Sequence, residues 1–274
     1  MATVAELTAE RPRGRDLLSG TPRAHAVDRW IYVFMAASFI AIVLAGFIPS
    51  SLEQMRAVEA GTRGPFPLVL HVHAVLMGSF LLLLLAQTLL VATGRCDLHR
   101  RFGIAAMVVA PAMVVAGFIL APTSYHSLWN AAQAAPPEAR AAMGGTLAFV
   151  ENILLVQLRI GILFSLFLVI GMRARRGDAG LHKRMMILAT AMALPAGIDR
   201  IPWLYSSLPG SPLTPDLYTL VALSPMVIWD LVRNGHVHRA YRIWLAVNVP
   251  FAVAVHGLWD TPWWHAAARQ IMGV

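Results

Sequence analysis

A chain of 274 residues that is 58% hydrophobic and 13% charged, with a mean hydropathy of +0.63, carries more apolar surface than a water-soluble fold of that length can hide. The formal charge of +8 rests on 21 arginines and one lysine, Lys183, gathered at the ends of apolar runs rather than along a soluble basic face, which describes membrane topology and excludes a nucleic-acid partner. The single cysteine, Cys96, excludes an internal disulfide, a Cys-x-x-Cys motif and a thiolate metal cage within one chain.

Residues 1–29 hold five arginines and are expected to form a mobile basic tail. The apolar run 30–48 follows. Its end, Phe47-Ile48-Pro49-Ser50, is a poor cleavage site, so the run is a first span rather than a removed signal. Six further apolar segments lie at 66–91, 102–120, 147–171, 185–198, 217–231 and 243–258. At about 20 residues per span, residues 30–274 are predicted to be one all-α integral membrane bundle of seven transmembrane helices. The last three segments are short and need flanking residues to cross. The tail and the connectors 94–101, 173–184 and 233–242 hold 16 of the 22 basic residues, which predicts a cytoplasmic N-terminus and an external C-terminus. The opposite connectors carry Trp203, Trp259, Trp263 and Trp264, suited to an interfacial belt. The longest of them, 122–145, is an outer loop whose Ala-rich, weakly charged middle is expected to lie on the membrane as a short helix.

The connectors repeat. Leu98-His99-Arg100, Leu181-His182-Lys183 and Val237-His238-Arg239 each open a span, and each span carries a proline 12 or 13 residues after its histidine, at Pro111, Pro195 and Pro250. The pattern is one helix followed by three similar hairpins. A proline inside a span frees a carbonyl and can kink the helix, which makes room for a ligand.

Ionisable groups inside spans are costly and face the bundle interior or a cavity. His71, His73, Glu151, Asp199, Arg200 and His256 all fall near the outer ends of their spans. Imidazole and carboxylate together form the ligand set of iron, zinc, copper or manganese, so His73, Glu151, Asp199 and His256 are the predicted metal ligands. The alternative is that these groups hydrogen-bond one another and fix helix packing. His71 and His73 lie about 200° apart around a helix and cannot easily share one metal. A haem would need one or two axial histidines, for which His71, His99 and His182 are the candidates, with Arg159 and Arg200 steadying anionic groups. His99 and His182 open helices at the inner face; interfacial anchoring is the plain reading and a haem there the functional one. Arg159 stands some 12 residues into the fourth segment and requires a carboxylate, a propionate, an anionic substrate or freed carbonyls; Glu151, eight residues away, is a poor partner. Asp230 is expected to pair with Arg233 or Arg239, and Asn248 to be a helix-packing amide.

His71-Val72-His73, Gln87, Leu98-His99-Arg100-Arg101-Phe102-Gly103 and Gly180-Leu181-His182-Lys183-Arg184-Met185 resemble a group of bacterial multi-pass membrane proteins of uncharacterised activity. That group combines His-x-His in the second span with Leu-His-Arg-Arg-x-Gly at the third. The resemblance covers most of the chain from Trp30 onward and implies an all-helical membrane fold. A looser likeness, in histidines at helix starts, is to b-type haem membrane proteins; the departure is that paired mid-span histidines are missing. The chain is therefore read as a metal- or haem b-dependent multi-pass protein of the bacterial inner membrane, of the oxidoreductase class. A transporter with a proton or substrate path, or a subunit of a larger membrane complex, are the competing classes. Lipid, and in the last case other membrane subunits, are the expected partners.

Overall fold

The computed structural model describes residues 16–274, and among them every regular element is helical. In chain order these are α1 (Ala26–Glu59), α2 (Leu68–Ala92), α3 (Cys96–Ala134), α4 (Pro137–Ala174), α5 (Ala179–Ala191), α6 (Leu194–Ile198), α7 (Leu213–Asn234), α8 (Arg239–Leu258) and α9 (Pro262–Met272). Long apolar runs become helices because a helix satisfies every backbone group without water. Six of them, α1, α2, α3, α4, α7 and α8, are long and apolar enough to cross a membrane. Val75, Leu82, Val108, Val221, Val232 and Val253 are each more than 60% exposed on the outside of the bundle, a surface made for lipid rather than water.

The fifth predicted segment differs from the rest. It is split into α5 and the five-residue α6, with Met192 and Ala193 between them. Pro195 stands in the first turn of α6, where its missing N–H cannot continue the α5 ladder. The α5–α6 pair is also the centre of the molecule. Met185, Ile187, Leu188, Ala189, Ala191 and Leu194 are all but inaccessible, and α1, α4, α7 and α8 surround the pair. Its modest hydropathy has a physical cause: its neighbours are protein, not lipid.

Small residues set the closest approach. A Cβ on Gly46 of α1 would lie 2.0 Å from the Gly197 carbonyl oxygen of α6, so the two backbones touch there. Two of the three expected hairpins are closed pairs, α2 on α3 and α4 on α5. The third is open. α7 packs on α1 and α6 and α8 packs on α4 and α5, while α7 and α8 meet through side chains rather than close backbone approach, Asp230 with Tyr241 near one end and Asp216 with His256 near the other.

Two expectations change, and the C-terminal stretch adds an element the sequence reading did not name. The connector 122–145 is not a surface loop. α3 continues through Pro122 to Ala134, and only Ala135 and Pro136 separate it from α4, so two helices of 39 and 38 residues reach past any bilayer. The C-terminal stretch forms α9, capped by the Thr261 hydroxyl, which accepts from the Trp264 N–H at 3.2 Å. α9 buries Trp264, Ala268 and Met272 along one face against α4 and α3. Of the basic tail, residues 1–15 lie outside the described residues. Residues 16–25 precede α1 and pack onto the bundle, with Leu18 fully buried in the main core.

Candidate functional site

The polar groups fall into four clusters, two at the arginine-rich end and two at the tryptophan-rich end. The first is closed around Arg184. Its side chain is fully buried and all five N–H donors are engaged: Nε and Nη2 with Asp230, Nη1 and Nη2 with Asp16 at 3.0 Å each, and Nη1 with the Gly180 carbonyl at 3.1 Å. Asp230 also accepts from the Tyr241 hydroxyl at 2.7 Å and from Asn234 at 2.6 Å. Lys183 lies 2.6 Å from Asp16. Burial pushes the Asp16 carboxyl up, but the Arg184 hydrogen bonds and the Lys183 and Arg184 charges outweigh it and hold the group well below the carboxylate range. Asp230 thus does not pair with Arg233 or Arg239, as its position in the chain suggested. Arg233 takes Asp28 at 2.8 Å and Arg239 takes Asp178. The third corner histidine, His238, caps α8 by accepting the Ala240 N–H on Nδ1 at 3.1 Å. Burial, and then the Arg184 charge, push its pKa down to about 4.

Beside this knot the other two corner histidines face a cavity. His99 is the fourth residue of α3 and His182 the fourth of α5. His99 Nδ1 donates to the Gln87 carbonyl of α2 at 3.3 Å, and His182 Nδ1 donates to the Gly171 carbonyl of α4 at 2.8 Å. A carbonyl can only accept, so each Nδ1 carries the proton, and in the neutral ring each Nε2 keeps its lone pair. This is the orientation that metal-ligating histidines adopt. The two ring centres are 6.5 Å apart, with the rings at 77°. A first-row metal sits about 2 Å from an imidazole nitrogen, so two imidazoles on opposite sides of one ion have centres about 6 Å apart. The cavity they line has a volume of about 630 Å³, within the range of cofactor sites. Phe80, Leu84, Val91, Ile104, Met107 and Met186 form apolar walls, and Arg100, Arg175 and Arg176 stand on its edge. Two buried polar atoms on it, Tyr32 Oη and Gln87 Oε1, have no hydrogen-bond partner among the described residues.

At the other end, Arg159 finds a carboxylate that the sequence did not single out. Asp216, in the first turn of α7, receives both Nη1 and Nη2 of Arg159, the former at 3.0 Å, and His256 Nε2 lies 3.1 Å from the same carboxylate. Depth within α7 is readable from the chain; the meeting of α4, α7 and α8 is not.

The fourth cluster is built on Glu151, which is fully buried. It accepts from Arg269 at 2.8 Å and the Tyr125 hydroxyl at 3.2 Å, and lies 2.7 Å from His265 Nδ1, while its own carbonyl accepts from Trp264 Nε1 at 2.8 Å. The Glu151 hydrogen bond, and then its charge, raise the Arg269 pKa. Asn152 adds an exchange with Asp260, accepting its N–H at 2.9 Å. Together these dock α9.

The four predicted metal ligands are therefore not brought together. Glu151 serves α9, and His256 serves Asp216. Asp199 lies 3.4 Å from its neighbour Arg200 and keeps a buried Oδ1 without a partner. His73 packs near Gly117 of α3 with Nδ1 unpartnered. Among the described residues no group of three His, Cys, Asp or Glu is placed to hold a metal ion. His71 is exposed and edge-on to Phe66, apart from His99 and His182. Arg200 bonds the Ala196 carbonyl and stacks on Phe47, and among the described residues its acidic neighbour is Asp199. Of the predicted set, His99 and His182 line one cavity. No protein-family model, curated protein or solved structure matches the chain.

Proposed function

We propose that this chain is a multi-pass, haem b-binding membrane protein of the oxidoreductase class, in which His99 and His182 would hold the haem. The observation that carries it is the pair itself: two imidazoles 6.5 Å apart on one cavity, each with Nδ1 fixed by a backbone carbonyl of the preceding helix. A ligand held by two histidines and no third protein group must bring its own remaining donors, as a tetrapyrrole does. Bis-histidine haem would supply one-electron chemistry. The chain supplies the rest. The α2 and α4 carbonyls orient the rings, the apolar walls exclude water, and Arg100, Arg175 and Arg176 offer cations for two propionates. Tyr32 and Gln87 provide polar atoms that now lack partners.

In this reading α5 and α6 together make the seventh crossing, a broken one inside a ring of six. The arginine-rich end faces the cytoplasm of a bacterial cell, by the charge bias of the connectors. The haem then lies at the cytoplasmic side.

The test is an oxidised and dithionite-reduced absorption spectrum of the full-length protein, with haem quantified per chain. The expected result is one haem per chain with a Soret band and sharp reduced α and β bands. His99→Ala and His182→Ala should each abolish that low-spin spectrum, while His71→Ala and His256→Ala keep it. Folded protein that shows no Soret band and takes up no added haem b would overturn the proposal.

A further inference from the structure

A second cavity, of about 140 Å³, lies beneath the Arg159–Asp216–His256 cluster, between the α5–α6 break, α4, α7 and α8. Three of its lining groups carry buried polar atoms with no hydrogen-bond partner among the described residues: Arg159 Nε, Trp244 Nε1 and Asn248 Oδ1. Arg159 and Trp244 are 3% and 4% exposed. Polar atoms at this depth have no bulk water to turn to, and each left bare costs several kcal/mol. Their clustering on one cavity marks a site that awaits a polar occupant.

The chemistry of that occupant follows from the lining. Arg159 and Trp244 present N–H donors from two different helices, so the occupant carries acceptors on more than one edge. Asn248, one turn beyond Trp244, offers an amide that can turn either group inward. Asp216 neutralises Arg159 through a two-point pair, so the head need not be anionic. The route in is lateral. α7 and α8 are joined by hydrogen bonds near their two ends and lack close backbone packing between them, and there Leu220, Leu245 and Val249, each between 45% and 48% exposed, line the cavity. A phosphate head group would have to leave the interface to reach Asn248, the tenth of twenty residues in α8. We propose that this cavity binds the head of an uncharged, lipid-soluble dicarbonyl of the quinone class, its tail leaving between α7 and α8.

The proposal does not depend on haem, and its test reads binding rather than electron transfer. Full-length protein in lipid nanodiscs is photolabelled with an azido-benzoquinone carrying a decyl tail, and the label is mapped by mass spectrometry. The expected result is saturable labelling within 213–258, displaced by the same quinone without the azide. Trp244→Phe and Asn248→Leu, both checked for folding by size-exclusion, should each weaken half-saturation about tenfold, the loss of one buried hydrogen bond. An azidoalkane of equal length should not label these helices saturably. Non-saturable labelling, equal labelling by the azidoalkane, or half-saturation unmoved in both folded variants would overturn the proposal and leave the cavity to water. A missing Soret band would sink the haem reading and leave this one standing.

Discussion

His182 and Arg184 are two residues apart on α5, and their surroundings are opposites. Arg184 turns into a closed knot in which every donor is matched and nothing further can bind. His182 turns the other way, donates Nδ1 to Gly171, and leaves Nε2 without a protein partner among the described residues on a cavity of about 630 Å³. Spacing explains the split, since positions two apart on a helix face nearly opposite directions. The contrast separates two kinds of buried polarity. Satisfied groups hold the bundle together; groups with free valence on a cavity are the ones equipped to bind. The same contrast recurs at the other end, where Glu151 is saturated and Arg159 keeps Nε bare.

The contrast breaks if the knot can be removed cheaply. Arg184→Met leaves Asp230 buried with only Tyr241 and Asn234, and removing one partner of a buried pair costs about 3–5 kcal/mol. The largest fall in the thermal midpoint of detergent-solubilised protein is therefore expected here. Gly46→Ala comes next, because its Cβ would meet the Gly197 oxygen at 2.0 Å. Overpacking of this kind costs about 1–3 kcal/mol, read in the same melting assay. Glu151→Ala should free α9 and expose the 259–262 joint to limited proteolysis. Arg269→Ala should do so far less, since Arg269 is half exposed and such pairs are worth about 1 kcal/mol or less.

Acid should act on the arginine-rich end through His238. Its folded pKa of about 4 lies below the ordinary value of 6.5, so its contribution is complete above pH 6.5 and is lost as pH falls from 6.5 toward 4. Protonation of Nδ1 would also remove the acceptor that caps α8. A melting midpoint that falls over this window, and falls less in His238→Asn, is expected. The smallest effect on stability belongs to His182→Ala. The apoprotein should melt within a few degrees of wild-type apoprotein, although the spectrum predicted for the bound haem disappears.

The helices themselves were legible because hydropathy is a local property. Six of the seven apolar segments appear as long helices, and the histidine corners that open α3 and α5 stand where the repeat put them. Prolines have different outcomes. Pro111, Pro122 and Pro250 are carried inside helices, whereas Pro195 is where the fifth segment breaks. Neighbouring packing decides between these outcomes, and a sequence window does not contain it. The third hairpin carries the same corner and proline as the others, yet its two helices are joined by side chains near their ends rather than packed backbone against backbone.

Chain composition and spacing alone determine that this protein is all-helical and lipid-facing, since 20-residue apolar runs have few other stable forms in a bilayer. They also determine that histidine, arginine and carboxylate stand at particular depths. The tertiary structure alone decides which of them meet. It gives Arg184 to Asp16 and Asp230, Arg159 to Asp216, and Glu151 to Arg269, and it leaves His99 and His182 beside each other. The reason is that depth is set along one helix at about 1.5 Å per residue, whereas azimuth and adjacency are set by how helices distant in the chain pack.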